Sequence, residues 1–257
     1  MTEFVTAPDG VRIAYDIVGE GEAIVLVHGF GASRVQNWRE PGWYDTLTVA
    51  GYQVVALDCR GHGESDKPHD LAAYGESAMA NDIALVMRAA GHERAFVMGY
   101  SMGGSLVIRL MHDQPRCVRA AILGGVGSNY FTRSNDWRAA ISDGLLAADP
   151  SALSPVQKMF RDFASQPGKD IAALAACMRA PREPLTRDQL AAISIPALVV
   201  CGETDDVSGT AEALASALGN ARGVTVPKRD HMRTVGDKVY KQVVLEFFAT
   251  IRRKPVE

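Results

Sequence analysis

A serine hydroxyl is a poor nucleophile until a base takes its proton and a third group holds that base in the right tautomer. One segment of this chain is suited to presenting such a serine. Gly99-Tyr100-Ser101-Met102-Gly103 follows the apolar run Ala95 to Met98 and leads into a helix-compatible stretch, Met102 to His112. A serine turned sharply from strand to helix is crowded, so the residues two positions away on either side must lack side chains, and Gly99 and Gly103 do.

The base must come from one of six histidines. His231 follows the last strand-like run, Gly223 to Val226, and precedes a closing helix predicted from about Val235 to Ile251, so an end-of-strand loop would carry it over Ser101. Structural readings suffice for the others: His28 sits in a glycine turn, His62 in the loop after Leu57, His69 and His92 in polar loops, and His112 at a helix end, where a cation suits the carbonyl dipole. The acid is expected in a loop between serine and histidine. Gly202-Glu203-Thr204-Asp205-Asp206 is that loop and offers three carboxylates, whereas Gly124 to Tyr130, after Leu123, offers none.

A tetrahedral intermediate also needs preorganised N–H donors for its oxyanion. The residue after the nucleophile, Met102, supplies one. In His28-Gly29-Phe30-Gly31 the two glycines let backbone approach the substrate closely, which makes the Phe30 N–H the second candidate.

These residues need elements that bring them to one place. Phe4 to Ala7 and Arg12 to Val18, joined by Pro8-Asp9-Gly10, read as a β-hairpin with an antiparallel edge. The runs Ile24 to Val27, Val54 to Leu57, Ala95 to Met98, Ala120 to Leu123 and Ala197 to Val200 are continuous rather than alternating, as in strands covered on both faces. Helix-compatible stretches at Trp38 to Ala50, Ser77 to Ala90 and Met102 to His112 alternate with them. The expected class is therefore α/β, with a doubly wound, mostly parallel sheet whose loops converge on one rim. From Ser128 to about Pro196 no strand signal is present, and prolines at 150, 155, 167, 181 and 184 punctuate short helical stretches; this reads as a helical insertion over the rim. Within it Tyr130, Phe131, Trp137, Met159, Phe160 and Phe163 are candidates to line an apolar substrate pocket, although the spacing of 159, 160 and 163 fits core packing equally well.

Residues 1 to 127 and 197 to 257 resemble the α/β-hydrolase superfamily. The likeness lies in the ordered set of the His-Gly-Phe-Gly turn, the loop Asp58-Cys59-Arg60-Gly61-His62-Gly63-Glu64-Ser65, the Gly-Tyr-Ser-Met-Gly-Gly elbow, a Gly-x-x-Asp loop and a late histidine. The resemblance implies an eight-stranded sheet with a helical cap, residues 128 to 196, inserted after the sixth strand into a core of residues 1 to 127 and 197 to 257. It also implies a triad of Ser101, Asp205 and His231, with Phe30 and Met102 as oxyanion donors. Serine at 101 separates the chain from the aspartate-nucleophile branches, the haloalkane dehalogenases and epoxide hydrolases. Two departures are visible: Asp206 beside Asp205 blurs the choice of acid, and His231 lies in Arg229-Asp230-His231-Met232 rather than behind a glycine. The loop from Asp58 to Ser65 is expected to be structural, its arginine pairing internally to brace the rim.

Composition sets the outer bounds. The chain has 257 residues, 47% of them apolar, enough for one sizeable core. A net charge of −3 from 27 basic and 30 acidic residues, well mixed along the chain, leaves no footprint for nucleic acid or an anionic membrane. The four cysteines, Cys59, Cys117, Cys177 and Cys201, show no metal spacing and read as reduced apolar fillers. Neither a signal-peptide pattern nor a membrane-length run is present, so a cytoplasmic location is expected. The functional expectation is a cofactor-independent serine hydrolase, free of metal, that cleaves a small, largely apolar carboxylic ester through an acyl-enzyme on Ser101. The same parts could serve a C–C bond hydrolase, lactonase, amidase or perhydrolase, and a ligand-sensing or partner-binding homologue is the reading from another class.

Overall fold

Apolar strands become most stable when both faces are removed from water, and this chain commits its apolar runs to a single eight-stranded sheet. In chain order the strands are β1 (Thr2–Thr6), β2 (Arg12–Val18), β3 (Glu22–Val27), β4 (Tyr52–Leu57), β5 (Ala95–Tyr100), β6 (Val118–Gly124), β7 (Ala197–Gly202) and β8 (Ala221–Val226). The computed structural model describes residues 1–132 and 134–252. Across the sheet the order is β1-β2-β4-β3-β5-β6-β7-β8. β1 pairs antiparallel with β2 and β2 antiparallel with β4, and every other neighbouring pair is parallel. The α/β expectation holds, including the antiparallel hairpin at one edge.

The helices are α1 (Trp43–Val49), α2 (Glu76–Ala89), α3 (Met102–Asp113), α4 (Asn135–Leu146), α5 (Pro155–Ala164), α6 (Ile171–Arg179), α7 (Arg187–Ala191), α8 (Ala211–Ala215), α9 (His231–Thr234) and α10 (Lys238–Arg252). Successive strand residues point to opposite faces, so Val25 and Val27 of β3 join the core under α2, α3 and α8, while Ile24 and Leu26 join the core under α1 and α10. Trp43, Leu47, Tyr240, Val244 and Phe248 close the second face, with Phe248 stacked 4.5 Å from Phe96 of β5.

One helix expectation needs correction. Trp38 to Ala50 is not continuous: Val35–Arg39 forms a π-helical turn, and α1 begins only at Trp43. Pro41 brings no N–H to a helical ladder, and Gly42 takes a left-handed φ of 76°. The closing helix likewise starts at Lys238 rather than near Val235: Asp230 caps the separate short helix α9, and Asp237 sets the start of α10, its side chain accepting from the Val239 N–H at 2.7 Å and its carbonyl from the Lys241 N–H at 3.0 Å.

Among the described residues the interval between β6 and β7 contains helices and no strand. Its helix starts follow from their caps. Ser134 accepts from the Trp137 N–H, Asp170 from that of Ala173, and Ser154 with Gln157 and Thr186 with Gln189 form capping boxes. Ile141, Leu145, Ala164, Leu174, Ala175 and Met178 make a small core of their own. Ala176, Cys177, Ala180, Leu185 and Leu190 instead enter the main core, so α6 is shared between the two.

Ion pairs brace the rim nearest the hairpin. Arg60, 1% exposed, grips Asp82 of α2 at 2.7 and 2.9 Å, meets Asp9 in the hairpin turn at 2.5 Å and donates to the Ala73 carbonyl at 2.6 Å. The internal bracing expected of this arginine is what the structure shows. Arg34 gathers Asp58 and Glu64, with Asp16 at 3.1 Å. All four cysteines are buried and unpaired. No described helix is long and apolar enough to cross a membrane.

The turn from β5 into α3 is tightly packed backbone against backbone. A Cβ on Gly103 would overlap the carbonyls of Val27 and His28, and one on Gly99 would overlap the Gly103 backbone. Gly103→Ala adds up to ~1 kcal/mol of helix propensity, yet forcing backbone apart in a packed core costs about 1–3 kcal/mol or more. Net destabilisation is therefore expected, read as a lower urea midpoint with an unchanged slope; a midpoint equal to or above wild type would contradict the packing described.

Candidate active site

Ser101 stands between β5 and α3 with φ 54° and ψ −114°, a backbone conformation that a non-glycine residue adopts only under constraint. Its N–H donates to the Gly124 carbonyl of β6 at 2.8 Å, and its own carbonyl accepts from Ser105 at 3.1 Å as α3 begins. The serine is thus fixed by its neighbours on both sides.

His231 and Asp205 arrive on loops stitched together by backbone bonds. After β7, the Glu203 N–H donates to Val226 at 2.9 Å and the Thr204 N–H to Arg229 at 3.0 Å, which sets the β7 loop beside the segment entering α9. Gly202 permits this approach, since a Cβ there would overlap the Arg229 carbonyl. His231 is the first residue of α9, and the Tyr100 hydroxyl donates to its carbonyl at 2.5 Å.

The side chains meet in one line. His231 Nε2 lies 3.0 Å from Ser101 Oγ, and Nδ1 lies 2.9 Å from Asp205 Oδ2 and 3.1 Å from Oδ1. With Nδ1–H donating to the carboxylate, Nε2 carries a lone pair toward the serine. Burial pushes the Asp205 carboxyl upward, but the His231 hydrogen bond and charge and the Ser208 donors outweigh it and hold the group below the ordinary aspartate range. Oδ1 accepts the N–H groups of Val207 at 3.0 Å and Ser208 at 2.8 Å. Asp206 and Glu203 are exposed, and Glu203 is taken up by the Lys228 N–H at 2.7 Å.

The His28–Gly31 turn continues β3 directly beside the serine. Gly29 is close enough that a Cβ there would stand 3.3 Å from Ser101 Cβ, and its N–H donates to Asn37 Oδ1 at 2.9 Å. Gly31 has φ 71°. Phe30 and Met102 border the same cavity as Ser101, a space of about 100 Å³. Tyr130, Trp137 and Phe160 also line it, with Phe160 packed on Phe30 and Trp137 at 5.9 and 5.7 Å. Phe131 does not: it stands edge-on to Tyr130 at 5.6 Å, with the Arg187 guanidinium 4.5 Å from its ring. Met159 is 47% exposed, and Phe163 packs instead on Gly31 and Lys169.

A family model described as alpha/beta hydrolase fold matches residues 22–176, more than half of the chain. The chain belongs to the α/β hydrolase fold family. A non-heme haloperoxidase of Rhodococcus erythropolis is 29% identical over 280 residues, which cover 95% of this chain and 98% of that protein. Among solved structures, an esterase from Exiguobacterium antarcticum matches with a TM-score of 0.77 at 22% identity, over 98% of this chain and 100% of its own. The enol-lactonase from Burkholderia xenovorans LB400 matches with a TM-score of 0.74 at 23% identity, over 96% and 100%. At such identities the structural likeness concerns the fold.

Within this α/β hydrolase fold several site residues were invisible to sequence reasoning. Ser208 Oγ lies 3.0 Å from His231 Nδ1, Asn37 holds the Gly29 N–H, and Glu76, Arg138 and Arg182 border the cavity. No motif marks them, because each is brought in by a different element.

His28 and His62 support the turn from behind. The Cys59 N–H donates to His28 Nε2 at 2.9 Å while Nδ1 donates to the Gly29 carbonyl at 2.7 Å, a pairing that only the neutral ring satisfies. Burial lowers His28 to about 4 and His62 to about 3. An unfolded chain takes up these protons near pH ~6.5 and the folded chain does not, so stability is full above that value and is lost as pH falls toward 4 and 3. His62→Gln, which can still donate to the Arg60 carbonyl but cannot titrate, should lose less stability than wild type between pH 6.5 and 4 in thermal melts; an equal loss would contradict the assignment.

Proposed function

We propose that the protein is a serine hydrolase of small carboxylic esters. The observation that carries this reading is the unbroken line Ser101 Oγ–His231 Nε2 at 3.0 Å and His231 Nδ1–Asp205 Oδ2 at 2.9 Å, opening on a cavity bordered by Phe30 and Met102.

In this reading His231 accepts the hydroxyl proton as Ser101 Oγ attacks the ester carbonyl. The resulting oxyanion is held by the backbone N–H groups of Phe30 and Met102, the latter in the first turn of α3, where N–H groups have no helical acceptor. His231 then gives its proton to the departing alcohol as the carbon–oxygen bond breaks and the acyl group stays on Ser101. Water enters, His231 takes its proton, and collapse of the second tetrahedral species releases the acid and restores the serine. Asp205, kept anionic by its donors, favours the imidazolium of both steps.

The helical segment from 128 to 196 acts here as a cap, since Trp137, Phe160 and Met178 share a cavity with Ser101. Aromatic and thioether side chains around so small a space favour short acyl or aryl groups. The partner in this reading is a diffusible small molecule.

Ser101→Ala is expected to lower p-nitrophenyl butyrate turnover by about 10³-fold or more, and Asp205→Asn by about 10³- to 10⁴-fold, while Asp206→Asn stays within about twofold. Fluorophosphonate labelling should place the adduct on Ser101. Undiminished turnover by Ser101→Ala, or an adduct elsewhere, would remove the proposal.

A further inference from the structure

The cavity beside Ser101 is not electrically neutral. Its charged lining residues are one carboxylate, Glu76, and two guanidiniums, Arg138 and Arg182. Glu76, at the start of α2, is engaged from another direction by Arg109 at 3.1 Å, which also faces Asp113 at 3.8 Å. Glu76 turns its other oxygen, Oε1, toward Arg182, but at 3.9 Å this is a loose ion pair beyond hydrogen-bond reach.

The surroundings of Arg182 are unusual for a guanidinium whose side chain is 10% exposed. Among the described residues its other side-chain partners are two sulfurs, the Met79 thioether at 3.4 Å and the Cys177 thiol, and sulfur is a weak acceptor. Arg138 donates to the Cys177 carbonyl at 3.0 Å and adds a second positive charge. Cys177 Sγ lies 4.0 Å from Met102 Sδ, which links the surroundings of Arg182 to the residue next to the nucleophile. A buried guanidinium presents a planar fork of donors that matches a carboxylate, and desolvated charge is stabilised when it is paired at close range.

We infer that the cavity selects esters bearing one further carboxylate and that Arg182 is the specificity-determining residue that binds it. The inference rests on the serine hydrolase reading and names its substrate class. The reaction itself is unchanged: the ester carbon–oxygen bond breaks, the oxygen of water ends in the new carboxylic acid, and the alcohol leaves with a proton. A half-ester such as a monoalkyl succinate would yield a dicarboxylate and an alcohol.

The test compares charged and uncharged members of two pairs, monoethyl with diethyl succinate and acetoxyacetate with its ethyl ester, which place the carboxylate on the acyl and the alcohol side. The charged member of at least one pair should be preferred in kcat/KM by about tenfold, and Arg182→Met should collapse that ratio, with partial recovery in Arg182→Lys. A preference for the uncharged member in both pairs, or an Arg182→Met variant that lowers both members equally, would overturn the inference. Calorimetry of Ser101→Ala with monoethyl and diethyl succinate reads the same preference without turnover. Tighter binding of the half-ester there, with no hydrolysis of any ester by wild type, would retain the charge selectivity and remove the hydrolase reading; equal binding with active wild type would do the reverse.

Discussion

The contact on which the site depends is the approach of the α3 backbone to the end of β3 at Gly103, where no side chain fits against the carbonyls of Val27 and His28. That approach makes the turn after β5 sharp enough to hold Ser101 at φ 54°. It also brings the start of α3, with the Met102 N–H, next to the turn that continues β3 through Phe30. A single steric condition thus sets both the half-buried serine at the turn and the pair of backbone donors proposed for the oxyanion. The strain is carried by the sheet on either side, through the Ser101 bond to Gly124 and the packed cores above and below.

A second layer of constraint comes from polar groups that keep the rim from relaxing. His28 is satisfied on both nitrogens only when neutral, and so links the β3 turn to Cys59 in the Asp58–Ser65 loop. Arg60 and Arg34 tie the same loop to α2, to the hairpin and to β2. On the opposite side of Ser101, bonds between the loops after β7 and β8 align Asp205 with His231. Separate networks therefore hold the His28–Gly31 turn and the Asp205–His231 pair.

Much of the framework was legible in the residues. Continuous apolar runs marked the buried strands, and Gly99 and Gly103 marked the elbow, because those patterns report local burial and local crowding. The Trp38 to Ala50 helix was misread because apolar spacing persists across Pro41-Gly42, where the backbone cannot continue it. Phe131 was a candidate for the cavity on residue type alone, and the side chain is instead directed to Tyr130 and Arg187. The loop after β7 offered three carboxylates of similar character. Only the bonds of that loop to the α9 segment place Asp205, and neither Glu203 nor Asp206, against the histidine.

By itself the sequence determined the class of the fold, the position of the serine turn and the short list of groups able to act with it. These depend on interactions between residues near in the chain and on the period of apolar side chains. The tertiary structure alone decided which carboxylate meets His231, which aromatic rings face the serine, and that Glu76 from α2 and Arg182 from the segment after α6 enter one cavity. Such meetings join residues tens to more than a hundred positions apart, and their distances follow from how helices and loops pack on the sheet. No local pattern records them.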